Sequence, residues 1–284
     1  MNIISGKEVA GHISKRVKDR VDELIKQGKR VPKLVIVRVG DRPDDLSYQR
    51  GAIKRMDMVG IAHEELWFEE NVSIETFFEK FDEINKDDGV DGILVLRPLP
   101  KHLDEDRLIR TINQAKDVDA ISPISLGKIM IGDKNGFAPC TAAGVIEILK
   151  YAGVEIGGKK VTIVGRSNVV GRPLALLFIG LDATVTVCHS RTKDVKEACK
   201  NAEILVASCG KARFINKEYV ANGAVVIDVG INLDEEGKLC GDVDIDSIEG
   251  IASACTPVPG GVGAVTTSVL ASHVLCAYEN ALKA

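Results

Sequence analysis

Aromatic side chains are scarce, at 4% of 284 residues. A surface that stacks unpaired bases needs several of them, so that class of function is excluded. Positive charge is not in excess either: 37 Lys and Arg stand against 41 Asp and Glu, for a net charge of −4. Without a basic footprint, nucleic acid is not expected as a partner. No apolar run approaches the roughly 20 residues of a membrane span. Lys7 and Glu8 break the only apolar start, so no secretion signal is read and a cytoplasmic location is expected. The seven cysteines include no C-x-x-C pair. An odd, dispersed set reads as reduced thiols rather than a disulfide framework or a zinc site, and no metal is expected. Internal repeats, low-complexity segments and a G-x-G-x-x-G fingerprint are all missing.

What is present is the ordinary balance of a folded protein, 45% hydrophobic and 27% charged, in a chain long enough for two domains. Short apolar runs alternate with segments of helical periodicity. Helices are predicted over 7–28, 46–59 and 104–113, and one capped by Ser73 follows the second strand. Strands are predicted over 33–40, 63–68 and 91–100, with a polar turn at 41–45 and a loop at 116–123. Thr141 is read as the cap of a further helix. The alternation then resumes: strands 161–165, 184–188, 203–208 and 224–230, helices 171–180 and 193–200, a short helix 216–222, and a final helix from 266. The fold class is therefore α/β, with two parallel-sheet domains, the second a Rossmann-type dinucleotide-binding domain. Sites in such sheets lie beyond the carboxyl ends of the strands, which puts Gly40, the 41–48 turn and the 96–100 prolines on one rim.

The stretch V-T-I-V-G-R-S-N-V-V-G-R-P at 161–173 reads as strand, glycine turn and helix. The N–H groups and positive dipole end of a helix after such a turn suit a phosphate. Gly165 and Gly171 fit either a dinucleotide site or a turn that needs glycine for packing alone. The next strand ends in Cys188-His-Ser-Arg with no acid for a ribose 2′-hydroxyl. Ser190, Arg191 and Arg166 instead suit a 2′-phosphate, which favours NADP over NAD; solvated surface arginines are the alternative. The loop T-P-V-P-G-G-V-G at 256–263 is stiff at its prolines and open at its glycines, as a ligand wall or a connector would be. Tyr48 and Lys54 are six apart and do not share a helix face, so Lys54 reads first as a solvated lysine. Asp117 and Asp119 suit either a ring edge with two N–H groups or a loop cap, and His189 suits a capping role.

Together these motifs resemble one family. G-R-S-x-x-V-G-R-P at 165–173, T-V-T-V-C-H-S-R-T at 184–192, V-I-D-V-G-I-N at 226–232, G-D-V at 241–243 and T-P-V-P-G-G-V-G at 256–263 occur in that order. S-Y at 47–48, P-L-P at 98–100, K-D-V-D at 116–119 and P-C-T at 139–141 precede them. The chain is similar to the methylenetetrahydrofolate dehydrogenase/methenyltetrahydrofolate cyclohydrolase family. The resemblance implies a catalytic domain of residues 1–140 joined by 267–284, a dinucleotide domain of 141–266, a tetrahydrofolate substrate in the cleft between them, and a homodimer. It assigns Gly165, Arg166, Ser167, Ser190, Ile231 and Thr266 to the dinucleotide. Tyr48 falls beside the pterin, Asp119 at its ring edge, and Pro259, Gly260 and Gly261 on the folate-site backbone. Five positions depart from the family pattern: Ala120 replaces a usual glycine, Ala142 and Ala264 replace usual prolines, and the other two bear on the chemistry. The catalytic lysine one turn after the tyrosine is Ala52, and the substrate-site glutamine that partners it is Leu96. Lys54 matches a different lysine of the pattern. The resemblance thus implies NADP-dependent oxidation of 5,10-methylenetetrahydrofolate to 5,10-methenyltetrahydrofolate in one-carbon metabolism, with weak or absent cyclohydrolase activity and a separate cyclohydrolase to follow. The alternative is a fully bifunctional enzyme giving 10-formyltetrahydrofolate, with Lys54 or ordered water in the lost role.

Overall fold

The structure is a computed structural model that describes residues 1–133 and 135–283. Lys134, and Ala284 at the end of the expected terminal segment, lie outside the described residues. The chain divides into two compact units.

One unit comprises Gly11–Cys140 and Thr267–Ala284. Its sheet has the order β3 (Ala62–Phe68), β2 (Lys33–Val39), β4 (Gly92–Val95), all parallel. Strand β2 is buried from Leu34 to Val39, and its 34–37 run is apolar because both of its faces are covered. Val35, Val37 and Val95 pack with Phe77, Phe78 and Phe81 of α3 (Ile74–Lys86) and with Leu108 of α4 (Glu105–Thr111). Ser73 caps α3 by accepting from Thr76 N at 3.1 Å. Helix α2 (Pro43–Val59) begins three residues before the predicted start, so most of the expected 41–45 turn is its first turn. Pro43 presets the helical φ there, and Asp44 and Asp45 complement the dipole. Helix α5 (Pro123–Met130) follows the 116–123 loop, with Ser122 as its cap. Thr141 is not a cap: it lies inside α6 (Cys140–Tyr151).

The other unit comprises Met1–Ala10 and Thr141–Thr266. The opening residues therefore belong here and not with the first domain, to which the sequence reading assigns them. They supply β1 (Asn2–Ile3), which extends a six-stranded sheet of order β1, β11 (Ala254–Cys255), β8 (Val225–Asp228), β7 (Ile204–Ala207), β5 (Lys160–Val164), β6 (Thr184–Cys188), every pair parallel. From β5 the chain pairs first with β6 on one side and then with β7 on the other. That reversal opens a crevice at the carboxyl end of β5, where Gly165 stands. Helices α7 (Gly171–Ile179) and α8 (Val195–Lys200) link these strands. Residues 216–222 form turns rather than the predicted helix. Asn216 closes them locally, its Oδ1 accepting from Glu218 N at 2.9 Å and its carbonyl from Tyr219 N at 2.9 Å. Antiparallel β9 (Asn232–Leu233) and β10 (Leu239–Cys240) make a separate hairpin, and α9 (Thr266–Ala281) closes the chain.

The start of α1 (Gly6–Lys26) is locked to the 256–263 loop. Gly6 N donates to Gly260 O at 2.8 Å, and a Cβ on Gly6 would lie 1.9 Å from Gly261 O. A Cβ on Gly11, by contrast, meets nothing within 4 Å. Two alanine substitutions one helical segment apart thus have opposite signs. Gly11→Ala gains about 0.5–1 kcal/mol by removing backbone freedom from a helix interior. Gly6→Ala costs about 1–3 kcal/mol through overpacking. Urea denaturation of the two variants checks this, and a stabilised Gly6→Ala contradicts it.

Candidate functional site

The crevice beyond β5 is a cavity of about 420 Å³. Gly165, Arg166, Ser167 and Ser190 line it, which brings together four of the residues expected at a dinucleotide. The two glycines of the turn have a packing reason. A Cβ on Gly171 would lie 2.2 Å from Gly165 O, and one on Gly165 would lie 2.2 Å from Ser208 O. Glycine at 171 lets α7 start hard against the end of β5, and glycine at 165 lets the chain after β7 pass close by. The Ser167 hydroxyl accepts from Val170 N at 3.1 Å and rounds the same turn. No carboxylate lines this cavity; its charged side chains are Arg166 and Lys211. A cation-lined site over a helix N-terminus fits the phosphates of a dinucleotide.

Three expected contacts are not among the lining residues. Arg191 is exposed, and its N–H donates to His189 Nδ1 at 3.1 Å, so His189 caps its own turn. Ile231 is 70% exposed, and Thr266 is buried with its hydroxyl donating to Gly263 O at 3.2 Å. The sequence reading missed Lys211, Ser208 and Phe214, which form the wall after β7.

Two buried carboxylates hold that wall. Asp242 accepts from Cys209 N, Gly210 N and Lys211 N at 2.6, 3.0 and 2.8 Å, and from Asn232 Nδ2 at 2.9 Å. Asp228 accepts from Gly230 N, Asp242 N and Val243 N at 2.9, 3.0 and 2.9 Å. Burial pushes the Asp228 carboxyl up to about 6, against the pull of those N–H groups. The chain passes so close that a Cβ on Gly230 would lie 2.4 Å from Asp242 and one on Gly241 1.8 Å from Asp228.

In the other unit, Arg42 joins the expected rim by donating to Pro98 O at 2.9 Å and Arg97 O at 3.3 Å. Gly40, Asp41, Pro98 and Pro100 line a cavity of about 580 Å³ there. The residues expected at the substrate do not line it. Tyr48 is half-buried on α2, and Ala52, one turn on, is fully buried. Leu96 follows β4 and is 6% exposed. Lys54 is exposed.

The paired aspartates divide. Asp117 is saturated by Ile121 N, Ser122 N and Ser125 Oγ at 2.9, 2.9 and 2.6 Å, and serves as the loop cap. Asp119 accepts from Cys140 N at 2.9 Å through Oδ1, at the start of α6. Burial raises its pKa. Beside it, His273 shares Nδ1 with Val118 O at 2.8 Å, so that nitrogen carries the proton. The Sγ of Cys140 lies 3.8 Å from the same nitrogen, and burial drives its thiol well above the usual range. A lone histidine in a helix offers no sequence signal, and His273 was not foreseen.

Residues 4–119 match the family described as "Tetrahydrofolate dehydrogenase/cyclohydrolase, catalytic domain". Residues 139–282 match "Tetrahydrofolate dehydrogenase/cyclohydrolase, NAD(P)-binding domain". The chain is 50% identical to "Bifunctional protein FolD" of Clostridioides difficile over 280 residues, 98% of this chain and 97% of that one. Among solved structures it is similar to the bifunctional enzyme FolD of Campylobacter jejuni, with a TM-score of 0.95 and 35% identity over 99% of both chains. It is also similar to the Trypanosoma brucei methylenetetrahydrofolate dehydrogenase-cyclohydrolase complexed with NADP cofactor and inhibitor, with a TM-score of 0.92 and 34% identity over 99% of this chain and 98% of that one.

Asp242→Asn tests the carboxylate clasp. All four groups facing the carboxylate are N–H donors, so an amide nitrogen there opposes at least one of them. The expected cost is about 1–3 kcal/mol in urea denaturation, together with weaker dinucleotide binding as the 209–211 wall loosens. Wild-type stability and affinity in the variant would remove the clasp from the account of the site.

Proposed function

The chain belongs to the tetrahydrofolate dehydrogenase/cyclohydrolase family, and we propose that it oxidises 5,10-methylenetetrahydrofolate to 5,10-methenyltetrahydrofolate with NADP⁺, its hydrolytic activity being weak or absent. The cofactor supplies the hydride acceptor. The carboxylate-free, cation-lined cavity at Gly165 supports a doubly charged 2′-phosphate, as does the NADP carried by the Trypanosoma brucei relative. Gly165, Arg166 and Ser167 take the phosphates, Ser190 takes the ribose edge, and Ile231 and Thr266 stay as contacts on the nicotinamide side. Tyr48 packs on the pterin. Asp119 has Oδ2 for the N–H groups of the ring edge, and the Pro259–Gly261 backbone lines the folate.

The single observation behind the missing hydrolysis is the pair Ala52 and Leu96, both apolar and both buried. Hydride leaves a carbon between two nitrogens whose lone pairs stabilise the cation, so the protein has to align it and needs no base. Hydrolysis adds water to that cation and moves protons between oxygen and nitrogen, which calls for a placed acid or base worth typically 10²–10⁴-fold. Neither side chain at these two positions titrates. On this reading a separate cyclohydrolase completes the route in the cytoplasm, and the family likeness implies a homodimer.

The second reading is full bifunctionality, favoured by the name of the Clostridioides difficile relative. It needs Lys54 or an ordered water in the base role. Lys54 is exposed, and six residues from Tyr48 it does not share that residue's face.

Reduced cofactor and methenyltetrahydrofolate are followed together in purified protein given 5,10-methylenetetrahydrofolate. The two are expected to accumulate in equal amounts. The Ala52→Lys/Leu96→Gln double variant is expected to drain the methenyl compound at least tenfold faster than enzyme-free buffer. Drainage by the wild type, lost selectively in Lys54→Ala, establishes the second reading instead.

A further inference from the structure

We propose that Lys211, not Arg191, is the second cation that reads the 2′-phosphate and so sets NADP over NAD. The inference rests on the dehydrogenase reading above and adds to it the residue that decides the cofactor. Lys211 lines the cavity at Gly165 together with Ser190, whereas Arg191 does not.

Two features place its ammonium group. Its backbone N–H is fixed at 2.8 Å to Asp242, whose carboxylate also holds the two residues before it. Its Nζ stands 5.2 Å from the centroid of the Phe214 ring, a cation–π distance that keeps the long side chain along the cavity wall. The wall therefore presents an exposed positive charge on a loop whose backbone is braced.

Charge balance then argues for a phosphate. With Arg166 the cavity holds two cations and no carboxylate, in a chain of net charge −4. A ribose 2′-hydroxyl is bound by an acceptor, commonly an acidic side chain, and none lines this cavity. A 2′-phosphate instead rewards each additional cation with a charge-assisted contact. His189 does not compete for that role, since its Nδ1 accepts from Arg191 N at 3.1 Å within its own turn.

Lys211→Met keeps the apolar stem beside Phe214 and removes the charge. Lys211→Arg keeps the charge. The full-length protein is titrated by calorimetry with 2′,5′-ADP and with 5′-ADP, and turnover is measured with NADP⁺ and NAD⁺. In Lys211→Met the dissociation constant for 2′,5′-ADP is expected to rise about tenfold relative to that for 5′-ADP, the scale of one charge-assisted contact. The ratio of kcat/KM with NADP⁺ to that with NAD⁺ falls by the same factor, and Lys211→Arg restores both. Equal weakening toward both nucleotides, or no change, overturns the assignment, and the same discrimination lost in Arg191→Met hands the role back to Arg191. A wild type that binds 2′,5′-ADP through Lys211 yet turns over no methylenetetrahydrofolate leaves this inference standing and removes the proposed reaction.

Discussion

Two carboxylates buried side by side govern the dinucleotide unit. Asp228 and Asp242 are 3% and 0% exposed, and like charges so placed oppose folding unless each is heavily solvated by the protein. The chain supplies that solvation from its own backbone. Strand ends β7 and β8, the Gly241–Val243 return and the 209–211 wall all turn their N–H groups onto these two side chains. Thr256 ties in the start of the proline-glycine loop, its hydroxyl accepting from Asp228 N at 2.8 Å. Four loops far apart in sequence thereby share one anchor, and the crevice beyond β5 has a shape because they do. Burial pushes the Asp228 carboxyl up to about 6, while the N–H groups that face it favour its ionised form.

The same anchor explains motifs that look unrelated along the chain. V-I-D-V-G-I-N and G-D-V each carry one aspartate and one glycine. Each glycine is the place where the other motif's carboxylate comes through, since a Cβ on Gly230 meets Asp242 and one on Gly241 meets Asp228. Spacing within either motif alone cannot reveal this, because the constraint is between them. The strand-helix alternation, in contrast, was legible because apolar runs buried on both faces, such as β2 and β7, leave a signal in any short window. Strand β1 left none. Two residues pair with β11 at the sheet edge, and only the tertiary partner makes them a strand. Helix α5 is held by its Ser122 cap and contains Gly127, so its local propensity is weak. Residues 216–222 carry helical spacing, but Asn216 turns the chain by bonding its neighbours' backbone.

The candidate site divides on the same line. The glycine turn, Arg166, Ser167 and Ser190 were legible because helix N-termini and phosphates impose a local pattern. Arg191 was a natural guess from the strand end, yet its backbone closes a turn on His189 and its side chain does not line the cavity. Lys211 sits in a loop with no pattern of its own and reaches the site only because Asp242 holds it there. Asp117 and Asp119, two residues apart, could not be told apart by spacing. The difference lies in what meets them: three donors from the following turn saturate one, and Cys140 at the start of α6 engages the other.

The two chemistries of this family make unequal demands on side chains, and the fold reflects it. Alignment of a hydride donor with its acceptor depends on backbone and shape: the glycine turn, the clasped wall, the loop braced by Gly6. Such features involve many residues and resist piecemeal loss, because each glycine is fixed by a steric contact. Proton transfer during hydrolysis depends on one titrating side chain and the partner that orients it. An ammonium in the place of Ala52 would stand at a fully buried position, and burial without a partner drives a lysine toward its neutral form. An amide in the place of Leu96 would be an unpaired polar group without that lysine. On the proposed reading, the lysine and the glutamine that orients it are kept or lost together, since either alone would be a polar group short of its partner. Ala52 and Leu96 are both apolar and both buried, which leaves no such group at either position.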